Sequence, residues 1–443
     1  MKLDSGNTAW MLAATALVLL MTPGLAFFYG GMVRSKNVLA MLMQNFVCMG
    51  IVSVLWVIDL FSLAFGPDKL HGFIGDPATH VGLKTGTDLF VSGVPTAVIA
   101  TFQITFAIIT AALITGATAD RLRFGPFVLF VSVWSIIVYA PIAHWVWGGG
   151  WLAQFGSIKD ATTGAITKLG VEDFAGGTVV HINAGIAGLA LTLVLGKRIG
   201  WPKERMRPHN VPYVMLGAGL LWFGWLGFNA GSELAADSTA GIALVNSVVA
   251  TAAAMLTWLI VEKIRDGHST SLGAASGLVA GLVAITPASG YVTPMGAIWI
   301  GAAAGVVCAL AVAIKFKFGF DDSLDVVAVH LIGGILGALS IGFFGQDAVN
   351  GLGRDGLFYG GGLGQLGRQF VGVGAVLAYS FVLTFIIAKL IDLAWGLRVS
   401  RDVELEGLDI NLHAESAYDT GGSSSHATST STETAVSGEK VNA

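Results

Sequence analysis

Charge is scarce in this chain: 12% of its 443 residues are Asp, Glu, Lys or Arg, about half the roughly 25% of an ordinary soluble domain. Hydrophobic residues make up 54%, and the mean hydropathy is +0.74. Most of the chain therefore belongs inside lipid. The two cysteines, Cys48 and Cys308, lie within apolar runs. They are too few and too buried for a disulfide framework or a metal cluster, so structural burial is the plainer reading. The 60 glycines include no Walker motif, which argues against direct drive by ATP. No His-Glu-x-x-His pattern accompanies the histidines, which argues against an intramembrane enzyme. The net charge of −4 comes without a basic stripe, so nucleic acid is not an expected partner; neither is a cofactor. The first apolar run lacks a basic leader and is longer than a signal peptide core, so residues 9–32 read as a mature span.

What is abundant is apolar runs of bilayer-spanning length, about 20 residues each. Without water to satisfy the backbone, such spans must be helices or closed barrels, and these runs are too long and too uniformly apolar for barrel strands. Eleven helices are expected, over residues 9–32, 40–65, 93–118, 125–147, 175–195, 211–230, 240–262, 272–288, 294–315, 325–345 and 370–395. Lys and Arg concentrate in the loops after the odd-numbered spans (Arg34 and Lys36, Arg121 and Arg123, Lys197 to Arg207, Lys263 and Arg265, Lys315 and Lys317) and in the tail. The positive-inside rule then puts the N-terminus outside and the C-terminus in the cytoplasm. Five spans, five more and one extra form a transporter-like inverted repeat. Repeat one covers about 9–195 and repeat two about 211–345, the extra helix is 370–395, and 1–396 is the transmembrane domain. Residues 397–419 read as a charged cytoplasmic regulatory tail, and 420–443, rich in Ser and Thr, as disordered.

Two histidines carry the strongest functional signal. His181 in Val179-Val-His-Ile-Asn-Ala-Gly-Ile-Ala-Gly188 and His330 in Ala328-Val-His-Leu-Ile-Gly-Gly-Ile-Leu-Gly337 lie 149 positions apart, and Val, His, Gly, Ile and Gly recur in register. A lone intramembrane histidine is often a packing residue. Twins at matching repeat positions instead point to a substrate or proton path. Two facing imidazoles can share a proton and hydrogen-bond a small polar guest. Asp173 and Asp325 precede the histidines; each is open to reading as a helix cap, and Asp173 also as a stabiliser of a waiting cation. Asp120, beside Arg121, reads as structural. Phe102 and Phe106 share a helix face, Trp222, Phe223, Trp225 and Phe228 lie on one span, and Trp145 and Trp147 end another. Aromatics at span ends are commonly interfacial, yet a cluster of rings also binds a weakly hydrated cation.

Taken together these residues resemble the ammonium transporter family (Amt/Mep, related to Rhesus proteins), from about Trp10 to Tyr418. The most specific stretch is Asp173-Phe-Ala-Gly-Gly-Thr-Val-Val-His181-Ile-Asn-Ala. Pro23 to Gly31, Gly224 to Ser232, Asp325 to His330 and Glu406 to Asn411 match as well. The resemblance implies that His181 and His330 are twin pore histidines and that Phe106 and Phe228 are a stacked gate. It implies an outer ammonium site of Phe102, Trp147 and Ser232, with Asp173 beneath it. It implies a multi-pass cell-membrane homotrimer with one pore per subunit, conducting ammonium or its analogue methylammonium, and in bacteria a PII signal protein at the cytoplasmic face. The expected mechanism recruits ammonium, deprotonates it near the gate and conducts ammonia past the histidines. The alternatives are a passive ammonia gas channel and an ammonium sensor signalling through the tail.

Overall fold

A computed structural model describes residues 2–204 and 206–418; the expectation for residues 420–443 lies outside them. The chain is mostly helical. Among the described residues, ten helical segments are long and apolar enough to cross a membrane: Ser5–Met32 (α1), Ser35–Phe65 (α2), Thr96–Thr118 (α3), Phe124–Gln154 (α4), Gly177–Leu195 (α5), Val211–Gly231 (α6), Ser238–Asp266 (α7), Pro294–Phe318 (α9), Val327–Phe344 (α10) and Gly364–Trp395 (α11). The run expected at 272–288 forms a shorter apolar helix, Ser271–Ile285 (α8).

Local chemistry fixes where the helices begin. Asp4, Asn210, Asp237, Thr270 and Thr293 each accept an N–H from the first turn of α1, α6, α7, α8 and α9, supplying the partner that an open helix end lacks. Two segments are less regular than their composition implied. α2 contains a π turn over Trp56–Leu60. In α4 the helix proper ends at Val146, so Trp147 caps it and Gly149 then turns the chain at φ 79°.

α1 and α6 pack antiparallel along their whole length. A Cβ on Gly227 would meet Leu17 at 2.7 Å, one on Gly224 would meet Met21 at 2.4 Å, and one on Gly217 would meet Phe28 N at 2.3 Å. Small residues let membrane helices approach this closely.

The centre is formed by α5 and α10, which open with matching π turns, Gly177–Ile182 and Val327–Ile332. Their contact is reciprocal. Gly185 lies under Leu331, and Gly334 lies under Ile182 and His181; these are the same repeat positions exchanged.

The two ends of the described residues lie on opposite faces. Asp4 N–H bonds Gly93 O on the face carrying the 66–95, 147–176 and 345–363 loops, while Val399 N–H bonds Arg121 O on the other. The tail is docked on that second face. Glu404, buried, accepts from Ile199 N at 2.7 Å and Arg398 Nη2 at 2.8 Å. Asp409 accepts from Leu39 N and Ala40 N.

Candidate functional site

Four cavities follow one another through the middle of the bundle. On the N-terminal face a vestibule of about 500 Å³ is lined by Gln103, Trp147, Asp173, Ser232, Glu233 and Tyr291, among others. Below the aromatic rings, a constriction of about 10 Å³ lies between Leu25, Trp225, Phe228, His181 and His330, space for about one water-sized molecule. His330 and Val279 also line the next chamber, of about 40 Å³. Asp325 and Leu324 join that chamber to an opening of about 360 Å³ on the tail face.

The two imidazoles meet at the constriction. Their Nδ1 atoms are 3.3 Å apart and their ring centroids 5.4 Å, with the residues 1% and 2% exposed. At that distance one Nδ1 donates and the other accepts. In a neutral pair the outward Nε2 atoms are then complementary, one acceptor and one donor. His181 Nε2 is buried with no partner, and a buried polar atom of this kind calls for a polar neighbour. Trp225 holds the His181 ring by stacking at 5.3 Å while its own N–H is occupied by Thr286 Oγ1 at 2.8 Å.

Above the histidines Phe106 and Phe228 stack at 4.1 Å and 20°, separating the constriction from the vestibule. Trp147 meets Phe106 edge-on at 5.7 Å, and its indole N–H is tied to Asp173 O at 2.8 Å, so its ring is fixed at the vestibule wall. Ser232 donates to Phe228 O at 2.8 Å, which leaves its oxygen lone pairs for a donor in the vestibule. Phe102 differs from the sequence reading. It is wholly buried and packs behind Phe106 at 4.9 Å, with Gly231 close against its ring. The neighbouring Gln103 lines the vestibule instead.

Asp173 is a helix cap of unusual reach. Its two carboxylate oxygens accept from Gly176, Gly177, Thr178 and Val179 N at 2.6–3.0 Å. Burial pushes the group up to about 6 against those four bonds. Its charge serves the start of α5, and any field it exerts on the vestibule acts from behind that shell.

The sequence reading paired Asp173 with Asp325, but the structural counterpart is Asp322. Asp322 is buried and accepts from Val327 N at 2.7 Å, whereas Asp325 turns outward at φ 62° to pair with Lys315 at 2.7 Å. The 149-residue offset that relates the histidines also relates Asp173 to Asp322, so the signal was present. Asp120 is structural: it pairs with Arg34 and Arg198, each at 3.3 Å.

Residues 9–418 match the family model described as Ammonium Transporter Family. The chain belongs to the ammonium transporter family. It is 51% identical to an ammonium transporter of Mycobacterium tuberculosis, over 94% of this chain and 91% of that protein, and 45% identical to one from Bacillus subtilis, covering 94% and 99%. Among solved structures it is similar to Saccharomyces cerevisiae Mep2, with a TM-score of 0.78 at 34% identity over 90% and 91% of the two chains. It is also similar to a chain titled Sensor Amt Protein, with a TM-score of 0.82 at 30% identity over 92% and 98%. As a member of this family it is a multi-pass membrane protein, and the long apolar helices accord with that.

Proposed function

We propose that the chain takes ammonium from outside the cell, strips its proton at the aromatic gate and conducts ammonia past His181 and His330. The observation that carries this is the imidazole pair, 3.3 Å apart, beside a constriction about one small molecule wide. A bare cation in such surroundings costs several kcal/mol or more. A neutral guest costs far less and can satisfy His181 Nε2. In this reading Trp147 and Ser232 gather the cation by ring quadrupole and hydroxyl oxygen, with Phe102 supporting the ring of Phe106 from behind. Asp173 holds the helix that carries His181. Phe106 and Phe228 keep bulk water out of the passage below them. The proton passes to water in the vestibule above and crosses separately by relay between the His181 and His330 ring nitrogens, so that one charge moves with each ammonia.

The architecture proposed with it has eleven crossings, α8 included, with the N-terminus outside. Its two five-helix halves, 9–195 and 211–345, are inverted, and α11 stands outside the repeat. The antiparallel α1/α6 seam and the exchanged Gly185 and Gly334 contacts support the inversion. A homotrimer, and a PII protein meeting the docked tail 397–419, follow from the family resemblance.

The test is ammonium-evoked current and methylammonium uptake in proteoliposomes. Wild-type protein is expected to carry both, and His181→Ala combined with His330→Ala to abolish them or to alter ion selectivity. Flux and selectivity unchanged in the double variant would defeat the assignment. Uptake without charge movement would make the protein a passive ammonia channel. The solved neighbour's title raises a sensor as a second reading; it predicts tail-dependent partner binding with no flux.

A further inference from the structure

Asp173 is committed to four backbone N–H groups, which leaves Glu233 as the other acidic side chain on the vestibule wall. Its placement is specific. It follows Ser232 directly, in the turn between α6 and α7, where Leu234 is held at φ 60° with its N–H on Gly231 O at 2.9 Å. A non-glycine residue at such a φ is uncommon and marks a turn whose shape is imposed by its surroundings. Asn7 pins that turn. It accepts from Ala236 N at 2.9 Å and donates to Ser92 O at 2.8 Å. Across the same cavity, the carbonyl oxygen of Gln103 is buried without a partner, and Gln103 is 8% exposed. An oriented amide oxygen, a fixed indole face, a hydroxyl oxygen and a carboxylate on one wall form a set suited to a small cation bearing N–H donors.

We propose that Glu233 is the counter-ion of the vestibule: its carboxylate collects the external ammonium or methylammonium ion beside Ser232 and Trp147 and sets the apparent affinity of transport. This rests on reading the vestibule as the entry for a cation. The group titrates in the working range, for burial first and then the neighbouring Asp237 carboxylate raise it to about 7. Asp237 is itself held by Thr239 N and Ala240 N as the cap of α7. The other ionisable groups facing this corner are Tyr291 and, beyond it, Asp173 and Glu172. Below about 7 Glu233 gains a proton and loses its attraction for a cation, while aqueous ammonium stays almost wholly protonated on both sides of that value. Recruitment should therefore tighten as pH rises through about 7.

The half-saturating ammonium concentration is to be measured against pH for wild type, Glu233→Gln, Glu233→Asp and Asp237→Asn in proteoliposomes. Above the transition Glu233→Gln should raise it about fivefold, the scale of one charge acting over a few ångströms of partly aqueous dielectric, and should flatten its pH dependence. Glu233→Asp should keep the pH dependence. Asp237→Asn still caps α7 but removes the neighbouring charge, so it should move the transition to lower pH; this arm reads the idea even if Glu233→Gln folds poorly. A half-saturation equal to wild type in Glu233→Gln at every pH, or a loss confined to maximal current, overturns the proposal. A wild type with no flux instead defeats the transport reading, and calorimetric titration of the same proteins with methylammonium then reads the affinity ratio directly.

Discussion

Asp173 and Asp322 each stand eight residues ahead of a histidine, each is buried, and burial raises each to about 6. Their surroundings differ. Around Asp173 are the Trp147 ring and the vestibule, and its oxygens gather four N–H groups. Around Asp322 are Lys315, which donates to its backbone carbonyl at 2.9 Å, and Asp325; two N–H groups serve its carboxylate, Val327 at 2.7 Å and Val326. The two halves thus share what is needed to start a helix at membrane depth with a histidine one turn in. They differ in what lines the two mouths: one meets aromatic rings, the other the Lys315–Asp325 ion pair with Glu204 and Arg207, beside a network of buried Arg198, Asp321 and Asp120 with Arg34. Selection of a weakly hydrated cation calls for rings at the entry. Charged groups at the far end suit an exit.

Removing the two carboxylates tests that difference most severely. Asp173→Ala orphans four buried amides at about 1–3 kcal/mol each, a loss comparable with the whole stability of an ordinary fold. It should yield no monodisperse protein in detergent. Asp322→Ala orphans two, so it should fold with a lowered thermal midpoint and retain measurable ammonium-evoked current. Equal damage from both would show that the four-bond cap has no special weight in the first half.

The exchanged glycines offer a finer comparison. A Cβ on Gly185 would sit 2.5 Å from the backbone nitrogen of Leu331, which cannot move alone. A Cβ on Gly334 would meet Ile182 Cγ1 at 3.0 Å, a side-chain atom able to give, and Gly177 O at 3.1 Å, tight by only a few tenths of an ångström. Overpacking typically costs about 1–3 kcal/mol. Gly185→Ala should fall at the upper end and push His330 off its partner, with loss of transport. Gly334→Ala should fall at the lower end with transport reduced. Thermal midpoints and uptake rates of the two variants check the order; a reversed order would mean that α10, not α5, is the rigid member of the pair.

Much of this was legible from residue types and spacing. The apolar runs marked the ten long helices and the shorter α8, because hydropathy governs which segments suit lipid. The 149-residue offset marked the histidines. Phe106, Trp147, and Phe228 with Ser232, far apart in the chain, come into contact above the histidines. Illegible were features that depend on backbone direction. The π turns under His181 and His330 have no residue code of their own. The burial of Phe102 follows from which side of α3 faces Gly231. Asp325 was open to reading as a helix cap, yet a positive φ turns it outward to Lys315. Glu233 sits in a turn that no periodicity describes, and only the cavity shows what it faces.

The smallest expected effect concerns Glu172, the acid next to Asp173 and outside the spans. It is wholly buried, and burial pushes it up to about 8, against the guanidinium groups of Arg354 and Arg368, the Arg354 backbone N–H and Lys168. In the second half the residue at the same offset, Asp321, is lowered instead: burial raises it, but the Arg198 guanidinium bonded to it at 2.8 Å and Arg121 outweigh that. Between 4.5 and about 8 the folded protein holds a proton on Glu172 that the unfolded chain has released. That contribution to stability is full below the lower value and lost as pH rises through the upper one. Glu172→Gln should therefore match wild type at the acid end and exceed it above about 8, with a flatter thermal midpoint against pH. The second half sets the control. Asp321→Asn removes a bonded partner of Arg198, so it should destabilise at neutral pH and lose that penalty only in acid. Parallel shifts of both variants across the whole pH range would mean that neither carboxyl titrates as its neighbours dictate.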